Sequence, residues 1–396
     1  MKRIDLSLQK AVLSVVEHAR YIRIHALGTH LWGAGEHYDC VQFCGTTRTN
    51  RVKEVFTRQG EHTYLPIPLV LSDQFGLLIK TDCVFSLHST CENGELILDL
   101  EGSFERVDEL IFASGPPKAS LKQLLEYQNG VESPPAWVFG QWASANRWNC
   151  EDDVYEAVQE AKKHGIAISA LVVEAWSDES TFYRFCEESG RWSDVKALVS
   201  YLKEEGIRLL LWQIPVFKHL EEGRTDLIHQ QDLKDVEQKN LVVRTSDGTA
   251  YRIPDGEWFG GSMVPDFTNP ETVRWWFEKR KELLDLGLGG FKTDGGECIH
   301  SDDALFFDGS TGKTMRNRYA QSYVEAYRDA IGEDMVTFSR AGYLGANRSH
   351  LYWAGDQRSE WGELRSMLNA GLSASISGVF WWGFDIAGFA GPLPSQ

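Results

Sequence analysis

The last two-thirds of the chain repeats one pattern, in which a short apolar segment is followed by a segment with helical spacing. From residue 131 onward, the apolar segments include "IAISALVVEAW", "IRLLLWQIP" and "LGGFKTDGGE", and the helical segments include "EDDVYEAVQEAKKHG". Strands that are apolar on both faces need helices over both faces, so the pattern predicts an α/β fold with a parallel sheet. We count about seven such strands, which predicts a (β/α)8 TIM barrel truncated after about seven strands.

Residues 1–130 show a different pattern, with short β-prone segments separated by turn signals. Segments such as "FGLLIKTD" and "ENGELILDLEG" alternate apolar and polar residues and are bounded by Gly, Asn and Asp. This spacing predicts an antiparallel β-sandwich domain. Pro134 and Pro135 interrupt regular structure after it. We therefore expect a short sandwich-like domain at 1–130 and a catalytic barrel at 131–396 that lacks its C-terminal end.

Charge and cysteine content argue against several classes of function. A net charge of −17 disfavours a nucleic-acid partner, which needs a basic surface. No apolar stretch reaches the roughly 18 residues of a membrane helix. The seven cysteines form no CxxC pair, so we expect reduced thiols and a cytoplasmic protein. The histidines show no HExxH spacing and no phosphate-binding loop is present, so we expect neither a metal nor an organic cofactor. The sequence is compatible with a homo-oligomer.

Polar and aromatic residues follow the apolar strands, where a barrel gathers its active site. In "GGFKTDGGECIH", Lys292 and Asp294 lie two residues apart near the end of the fourth strand. Side chains at i and i+2 of a strand point to the same side. The loops after the strands form the active-site face of a TIM barrel. The other residues that we place at strand ends are Glu174, Trp176, Trp212, Arg340, Trp353, Asp356 and Asp385.

Two acids on different strands of one barrel suit cleavage of a glycosidic bond. One carboxylate attacks the anomeric carbon, and the other carboxyl gives a proton to the leaving oxygen. Lys292, with Arg340 on the next strand, would keep Asp294 ionised. Asp356 has no adjacent base, and apolar surroundings together with the charge of Asp294 would keep it protonated. These environments make Asp294 the candidate nucleophile and Asp356 the candidate acid/base.

Several motifs in this order resemble glycoside hydrolase family 31, the retaining α-glycosidases that include α-glucosidases, α-xylosidases and sulfoquinovosidases. "GFKTDGGE" resembles the nucleophile strand of the family, and "FSRAG" followed by "YWAGDQ" resembles its arginine and acid/base strands. "VPDFTNPETVRWW", "LLLWQIPVF" and "FWWGFDIAGF" are similar to other family segments, and "LWGAGEHYD" resembles the entry to its N-terminal sandwich. The resemblance runs from about residue 30 to the end and implies retaining hydrolysis of terminal α-glycosidic bonds in a small carbohydrate substrate, as in an α-glucosidase.

The resemblance also implies roles for individual residues. Asp294 would be the nucleophile and Asp356 the acid/base, and no metal or cofactor would take part. The residues that would contact the sugar are Glu174, Trp176, Lys292, Trp212, Arg340, Trp353, Phe384 and Asp385.

Three departures from the family pattern leave the substrate open. Glu174 stands where the family usually has an aspartate, and the extra methylene moves the carboxylate by roughly 1 Å. Phe384 stands where a histidine usually contacts the sugar, and a phenyl ring makes no such hydrogen bond. The predicted barrel also lacks its eighth strand. The alternatives are α-galactosidase, α-N-acetylgalactosaminidase or α-xylosidase activity, transglycosylation, or a catalytically inactive fragment that binds carbohydrate.

Purely structural interpretations also exist. Lys292 and Asp294 can form an ion pair that joins a strand to a loop, and Asp356 can cap the helix in "SEWGELRSML". Large aromatic residues often fill the core of a barrel, which applies to Trp176, Trp212 and Trp353.

Overall fold

A computed structural model describes residues 1–6, 11–18, 20–102 and 107–392 of the chain. The chain divides into two compact units, and each unit combines segments that are distant in sequence. The first unit comprises Met1–Glu132, Gly312–Gln321 and Arg340–Gln396, and the second comprises Ser133–Thr311 and Ser322–Ser339.

The N-terminal segment of the first unit forms two β-sheets. The strands are β1 (Lys2–Asp5), β2 (Val12–Glu17), β3 (Tyr21–Leu27), β4 (Leu31–Gly33), β5 (Thr47–Asn50), β6 (Leu69–Ser72), β7 (Phe75–Lys80), β8 (Phe85–Glu92), β9 (Glu95–Gly102) and β10 (Glu109–Ser114). One sheet has the order β1-β10-β7-β6-β4, and the other has the order β2-β3-β9-β8-β5. Neighbouring strands are antiparallel except β1 and β10, which are parallel.

A sandwich core forms because apolar residues alternate along these strands. β9 buries every second residue, and its Leu98 shares one apolar cluster with Leu77 and Ile79 of the other sheet. The hairpin from β8 to β9 turns at Asn93 and Gly94, whose φ angles of 52° and 81° suit a two-residue turn of type I′. The predicted β-sandwich character of this segment is therefore found in the structure.

The parallel strands follow in sequence order. In the second unit they are β11 (Gln141–Ala145), β12 (Ile168–Val173), β13 (Arg208–Gln213), β14 (Gly290–Thr293) and β15 (Val336–Ser339). Each pairs in parallel with the next. In the first unit, β16 (Leu351–Trp353) pairs in parallel with β17 (Trp382–Gly383). All seven strands that the sequence predicts are therefore present among the described residues.

The described residues form eight α-helices, and at least one of them lies between each pair of successive parallel strands except β15 and β16. They are α1 (Pro117–Tyr127), α2 (Glu151–Lys163), α3 (Val195–Glu204), α4 (Leu227–Gln238), α5 (Pro270–Lys279), α6 (Lys281–Asp285), α7 (Gly312–Ala330) and α8 (Trp361–Ile376). Asp194 and Asp226 accept backbone N–H bonds at the starts of α3 and α4. Asn269 does the same for α5, where Pro270 occupies the first helical position.

One expectation about the cysteines is wrong. Cys44 and Cys91 form a disulfide bond, with their Cα atoms 6.0 Å apart. Cys91 lies on β8, and Cys44 lies in the loop before β5, which pairs with β8. Strand pairing therefore brings together two cysteines that are 47 residues apart in sequence. The expectation of a cytoplasmic location loses the support that it took from unpaired thiols.

The described residues contain no helix that is both long enough and apolar enough to span a membrane.

Candidate active site

An ion pair lies where β12 and β14 end in the second unit. Lys292 is on β14, and Glu174 directly follows β12. The Lys292 Nζ donates to Glu174 Oε1 at 2.6 Å, and both side chains are largely buried. The opposite charges of Lys292 and Glu174 compensate each other at this short distance. The sequence places both residues at strand ends but does not reveal that they bind each other.

Asp294 follows β14 immediately and is held by neutral N–H donors. Its Oδ2 accepts a hydrogen bond of 2.8 Å from the indole Nε1 of Trp212, and its Oδ1 accepts one of 2.8 Å from the backbone N of Gly295. The side chain is 8% exposed. Donors that bind the ionised form of a carboxyl group stabilise its negative charge. The arrangement therefore presents a nearly buried carboxylate with a defined orientation.

Gly295 is required by the turn that follows the carboxylate. Its φ angle is +75°, a conformation that favours glycine. A Cβ atom at this position would also lie 2.4 Å from Ile214 Cδ1 and 3.5 Å from Trp258 Cζ3. The glycine thus allows the chain to turn sharply between an apolar side chain and an aromatic ring.

Aromatic rings surround Trp212 on several sides. Phe182 contacts it edge-on with ring centres 5.5 Å apart, and Phe259 and Trp258 lie with ring centres 6.4 Å away. Trp258 is 42% exposed, so part of this residue is accessible to a ligand. Trp176 is fully buried, and its Nε1 donates to the carbonyl oxygen of Trp212 at 3.0 Å. The contact that we observe for Trp176 supports the strand that carries Trp212.

A second group of predicted residues lies in the first unit, around Tyr64. The guanidinium carbon of Arg340 lies 4.9 Å from the centre of the Tyr64 ring. A Cβ atom at Gly355 would lie 2.4 Å from Cε2 of the same ring, so the glycine before Asp356 permits this packing. Gln59 Nε2 donates to the backbone carbonyl of Asp356 at 3.3 Å. Tyr64 and Gln59 thus fix the backbone on which the half-buried Asp356 side chain stands.

The structure also bears on the alternative role of Asp356 as a helix cap. The helix α8 begins at Trp361, after Glu360, so Asp356 is not its capping residue.

The remaining predicted residues lie on or after β16 and β17. Trp353 is the last residue of β16 and is 2% exposed. Phe384 and Asp385 follow β17, and Phe384 is 37% exposed, with its ring centre 6.1 Å from that of Trp382. Partial exposure of Phe384 leaves an apolar surface available to a ligand.

Sequence reasoning missed two aromatic residues of these groups. Tyr64 comes from the N-terminal segment, far from the barrel motifs, and Trp258 comes from the long segment between β13 and β14. Neither lies at a strand end. The only signal for Trp258 in the sequence is the glycine-rich stretch "EWFGGS" in which it stands.

Residues 131–396 match the family model for the TIM-barrel domain of glycosyl hydrolases family 31. Isomaltosyltransferase of Sporosarcina globispora is 35% identical to this chain, and the match covers 92% of the chain and 36% of that protein. A 1,3-alpha-isomaltosidase of Kribbella flavida is also 35% identical, with coverage of 93% and 54%. These two matches therefore span about a third to a half of each relative's length.

A solved structure shows the same fold. The cycloalternan-forming enzyme from Listeria monocytogenes, in complex with a pentasaccharide substrate, superposes with a TM-score of 0.87 at 31% sequence identity. The match covers 94% of this chain and 38% of that one.

Proposed function

Because this chain belongs to glycoside hydrolase family 31, we propose that it cleaves α-glucosidic bonds of oligosaccharides by a retaining double displacement. Residues 131–396, which match the family model, would form the catalytic domain, and 1–130 would form the sandwich domain. The observation that carries this proposal is the Asp294 carboxylate, nearly buried and oriented by Trp212 and Gly295.

In the first step, an oxygen of Asp294 attacks the anomeric carbon while the bond from that carbon to the glycosidic oxygen breaks. The leaving oxygen takes a proton from Asp356. In the second step, Asp356 accepts a proton from water, and the water oxygen attacks the anomeric carbon and releases Asp294. Two inversions at one carbon retain its configuration.

The two N–H donors to Asp294 suit this double displacement. Trp212 and Gly295 orient the carboxylate through N–H groups that carry no formal charge. This orientation supplies proximity between the attacking oxygen and the anomeric carbon.

The substrate that we propose is an oligosaccharide with an isomaltosyl unit at its non-reducing end. The two curated relatives at 35% identity are named for isomaltosyl transfer and for hydrolysis of 1,3-alpha-isomaltosides. In this chain Glu174 and Lys292 form a hydrogen-bonded pair that offers both donors and acceptors to sugar hydroxyls. Phe384 adds an apolar surface where a second sugar ring can pack.

The first test uses nitrophenyl α-glucoside and nitrophenyl α-isomaltoside with the 396-residue chain. We expect release of nitrophenol, faster from the isomaltoside, and proton NMR should show the α-anomer as the first product. A sugar acceptor added to the mixture should distinguish hydrolysis from transfer, because a transferase will form a longer product. A β-anomer as first product would refute the retaining mechanism, and no turnover of either glycoside would refute the activity.

The second test assigns the acids. Asp294→Ala should lower kcat by at least about 10⁴-fold on every substrate. Asp356→Ala should affect a dinitrophenyl glycoside much less than a natural disaccharide, because a good leaving group needs no proton. Azide should restore turnover in this variant and yield the α-glycosyl azide. Asp303→Ala, at an exposed acid nine residues after Asp294, is the matched control and should keep the parent rate.

A further inference from the structure

The side chain of Gln213, the last residue of β13, uses every hydrogen-bonding position that an amide offers. Its Oε1 accepts from Arg280 Nε at 2.7 Å and from the Tyr327 hydroxyl at 2.6 Å. Its Nε2 donates to the carbonyl oxygens of Phe182 and Trp212, both at 2.9 Å. The residue has no exposed surface. Two acceptor and two donor positions are thus satisfied inside the protein.

Arg280 is an unusual partner for this amide, because it is a buried cation. It is 1% exposed, and its guanidinium carbon lies 3.5 Å from the centre of the Trp276 ring. Within the described part of the chain, no carboxylate pairs with it, and its Nη2 has no hydrogen-bond partner. Burial lowers the pKa of Arg280. A buried cation without a counter-ion is costly, so selection for packing alone does not explain its presence.

The network leads directly to the candidate nucleophile. The backbone carbonyl of Gln213 accepts the backbone N–H of Asp294 at 3.0 Å, and Gln213 is paired with Thr293 in the sheet. The residue before Gln213 is Trp212, whose indole binds the Asp294 carboxylate. Gln213 is therefore bonded through its backbone to Asp294, and it adjoins Trp212, whose indole orients the Asp294 side chain.

We propose that Gln213, held by Arg280 and Tyr327, is a positioning residue that sets the indole of Trp212 on Asp294. The proposal rests on the proposed function, in which Asp294 attacks the sugar. The carbonyl of Trp212 receives hydrogen bonds from Gln213 Nε2 and from Trp176 Nε1, and these bonds fix the backbone from which the indole projects. An error of about 1 Å in such an alignment can cost roughly 10²-fold in rate.

An amide is the side chain that this position requires. A glutamate would accept from Arg280 and Tyr327 but could not donate to the two carbonyl groups. A leucine would fill a similar volume but would offer neither kind of bond. Gln213→Glu therefore removes only the donors, and Gln213→Leu removes the whole network.

A double-mutant cycle tests whether Gln213 acts through Trp212. We expect Trp212→Phe to lower kcat by about 10²-fold with little change in KM, since it deletes a hydrogen bond to a charged group at the reaction centre. Gln213→Leu should lower kcat by roughly 10- to 10²-fold. The double variant should be no worse than Trp212→Phe alone, within about threefold, because the indole through which Gln213 acts is already lost.

Two further variants test the proposal even if Gln213→Leu folds poorly. Gln213→Glu is isosteric and should show the same non-additivity with Trp212→Phe. Thr272→Val is the matched control, since it deletes a buried hydrogen bond to the Leu241 carbonyl without touching the network. It should keep the parent kcat. If the decreases in kcat caused by the Gln213 and Trp212 substitutions multiply in the double variants, the proposal is overturned.

A spectroscopic measurement separates this proposal from the proposed function. The indole N–H resonance of Trp212 can be assigned in ¹⁵N-labelled protein by its absence from Trp212→Phe. We expect it to shift in Asp294→Asn and in Gln213→Leu, and to stay in place in Thr272→Val. If the parent turns over no glycoside, the proposed function fails and this resonance alone decides the positioning role. A resonance that stays in place in Gln213→Leu overturns it.

Discussion

We predict that Glu36 makes the protein less stable as the pH rises above neutrality. Glu36 lies in the segment "GAGEHYD" of the first unit and has no exposed surface. Burial raises the pKa of its carboxyl group to about 8, because the ionised form would lose its hydration. A hydrogen bond of 2.6 Å from Trp382 Nε1 to Oε1 offsets part of this effect. The carboxyl is therefore protonated in the folded protein at neutral pH.

The sign and size of the effect follow from the two pKa values. Between the ordinary pKa of 4.5 and the folded value of about 8, the folded protein binds a proton that the unfolded chain has released. The stability due to this group is complete below pH 4.5 and is lost as the pH rises through the folded pKa. The slope is about 1.4 kcal/mol per pH unit, and the total loss is about 5 kcal/mol.

The neighbouring residue, His37, has the opposite effect. Burial lowers the pKa of His37 from 6.5 to about 3, so its contribution to stability is lost as the pH falls below 6.5. Its Nε2 binds the carbonyl oxygen of Ala34 at 2.9 Å. Between pH 4.5 and 6.5 the slopes of Glu36 and His37 cancel. The net decline due to Glu36 therefore begins near pH 6.5 and reaches about 2 kcal/mol by pH 8.

The assay is urea unfolding, followed by tryptophan fluorescence, at half-unit steps from pH 5 to pH 8.5. The free energy of unfolding of the parent should fall by about 2 kcal/mol between pH 6.5 and 8, and Glu36→Gln should lack this fall. In the control His37→Gln, the fall should begin near pH 4.5, because the opposing slope is gone. Equal slopes above pH 6.5 in the parent and in Glu36→Gln would refute the reasoning.

Three further predictions concern binding, the buried ion pair and the disulfide. Trp258→Ala should raise KM for the isomaltoside about tenfold with a smaller change in kcat, since it deletes an exposed ring beside the nucleophile turn. Glu174→Ala should lower the free energy of unfolding by about 3 kcal/mol, because the buried Lys292 ammonium loses this carboxylate. Adding Lys292→Met should recover most of that loss, because the ammonium itself is then removed. Thiol titration of the unfolded, non-reduced chain should find the five free cysteines, and reduction of Cys44–Cys91 should destabilise the protein by roughly 4 kcal/mol.

The sequence predicts strands well where their pattern reflects burial on both faces. β14 is an example, because all of its residues are buried and glycines flank it. Prediction is poorer where proline intervenes. The segment "HTYLPIPLVLSD" has the composition of a strand, but only Leu69–Ser72 forms one. Pro66 and Pro68 lack the N–H groups that a ladder needs, so the strand begins after them.

The sequence identifies candidate residues of the site more readily than their partners. Strand-end position selects Glu174, Lys292 and Asp294, because the carboxyl ends of parallel strands share one edge of the sheet. The partners depend on long-range contacts that no local pattern encodes. Tyr64 and Trp258 belong to irregular segments of the structure, and neither lies at the end of a predicted barrel strand.

The pairing of Lys292 with Glu174 adds a second carboxylate to the electrostatic argument for the nucleophile. Two residues of opposite charge at i and i+2 suggest that the ammonium keeps the carboxylate ionised. The structure shows the Lys292 ammonium on Glu174 at 2.6 Å, and it shows Trp212 and Gly295 as donors to Asp294. When Asp294 becomes an ester in the proposed mechanism, the charge of Lys292 remains compensated by Glu174. The covalent intermediate therefore leaves the Lys292 ammonium compensated, which favours its formation.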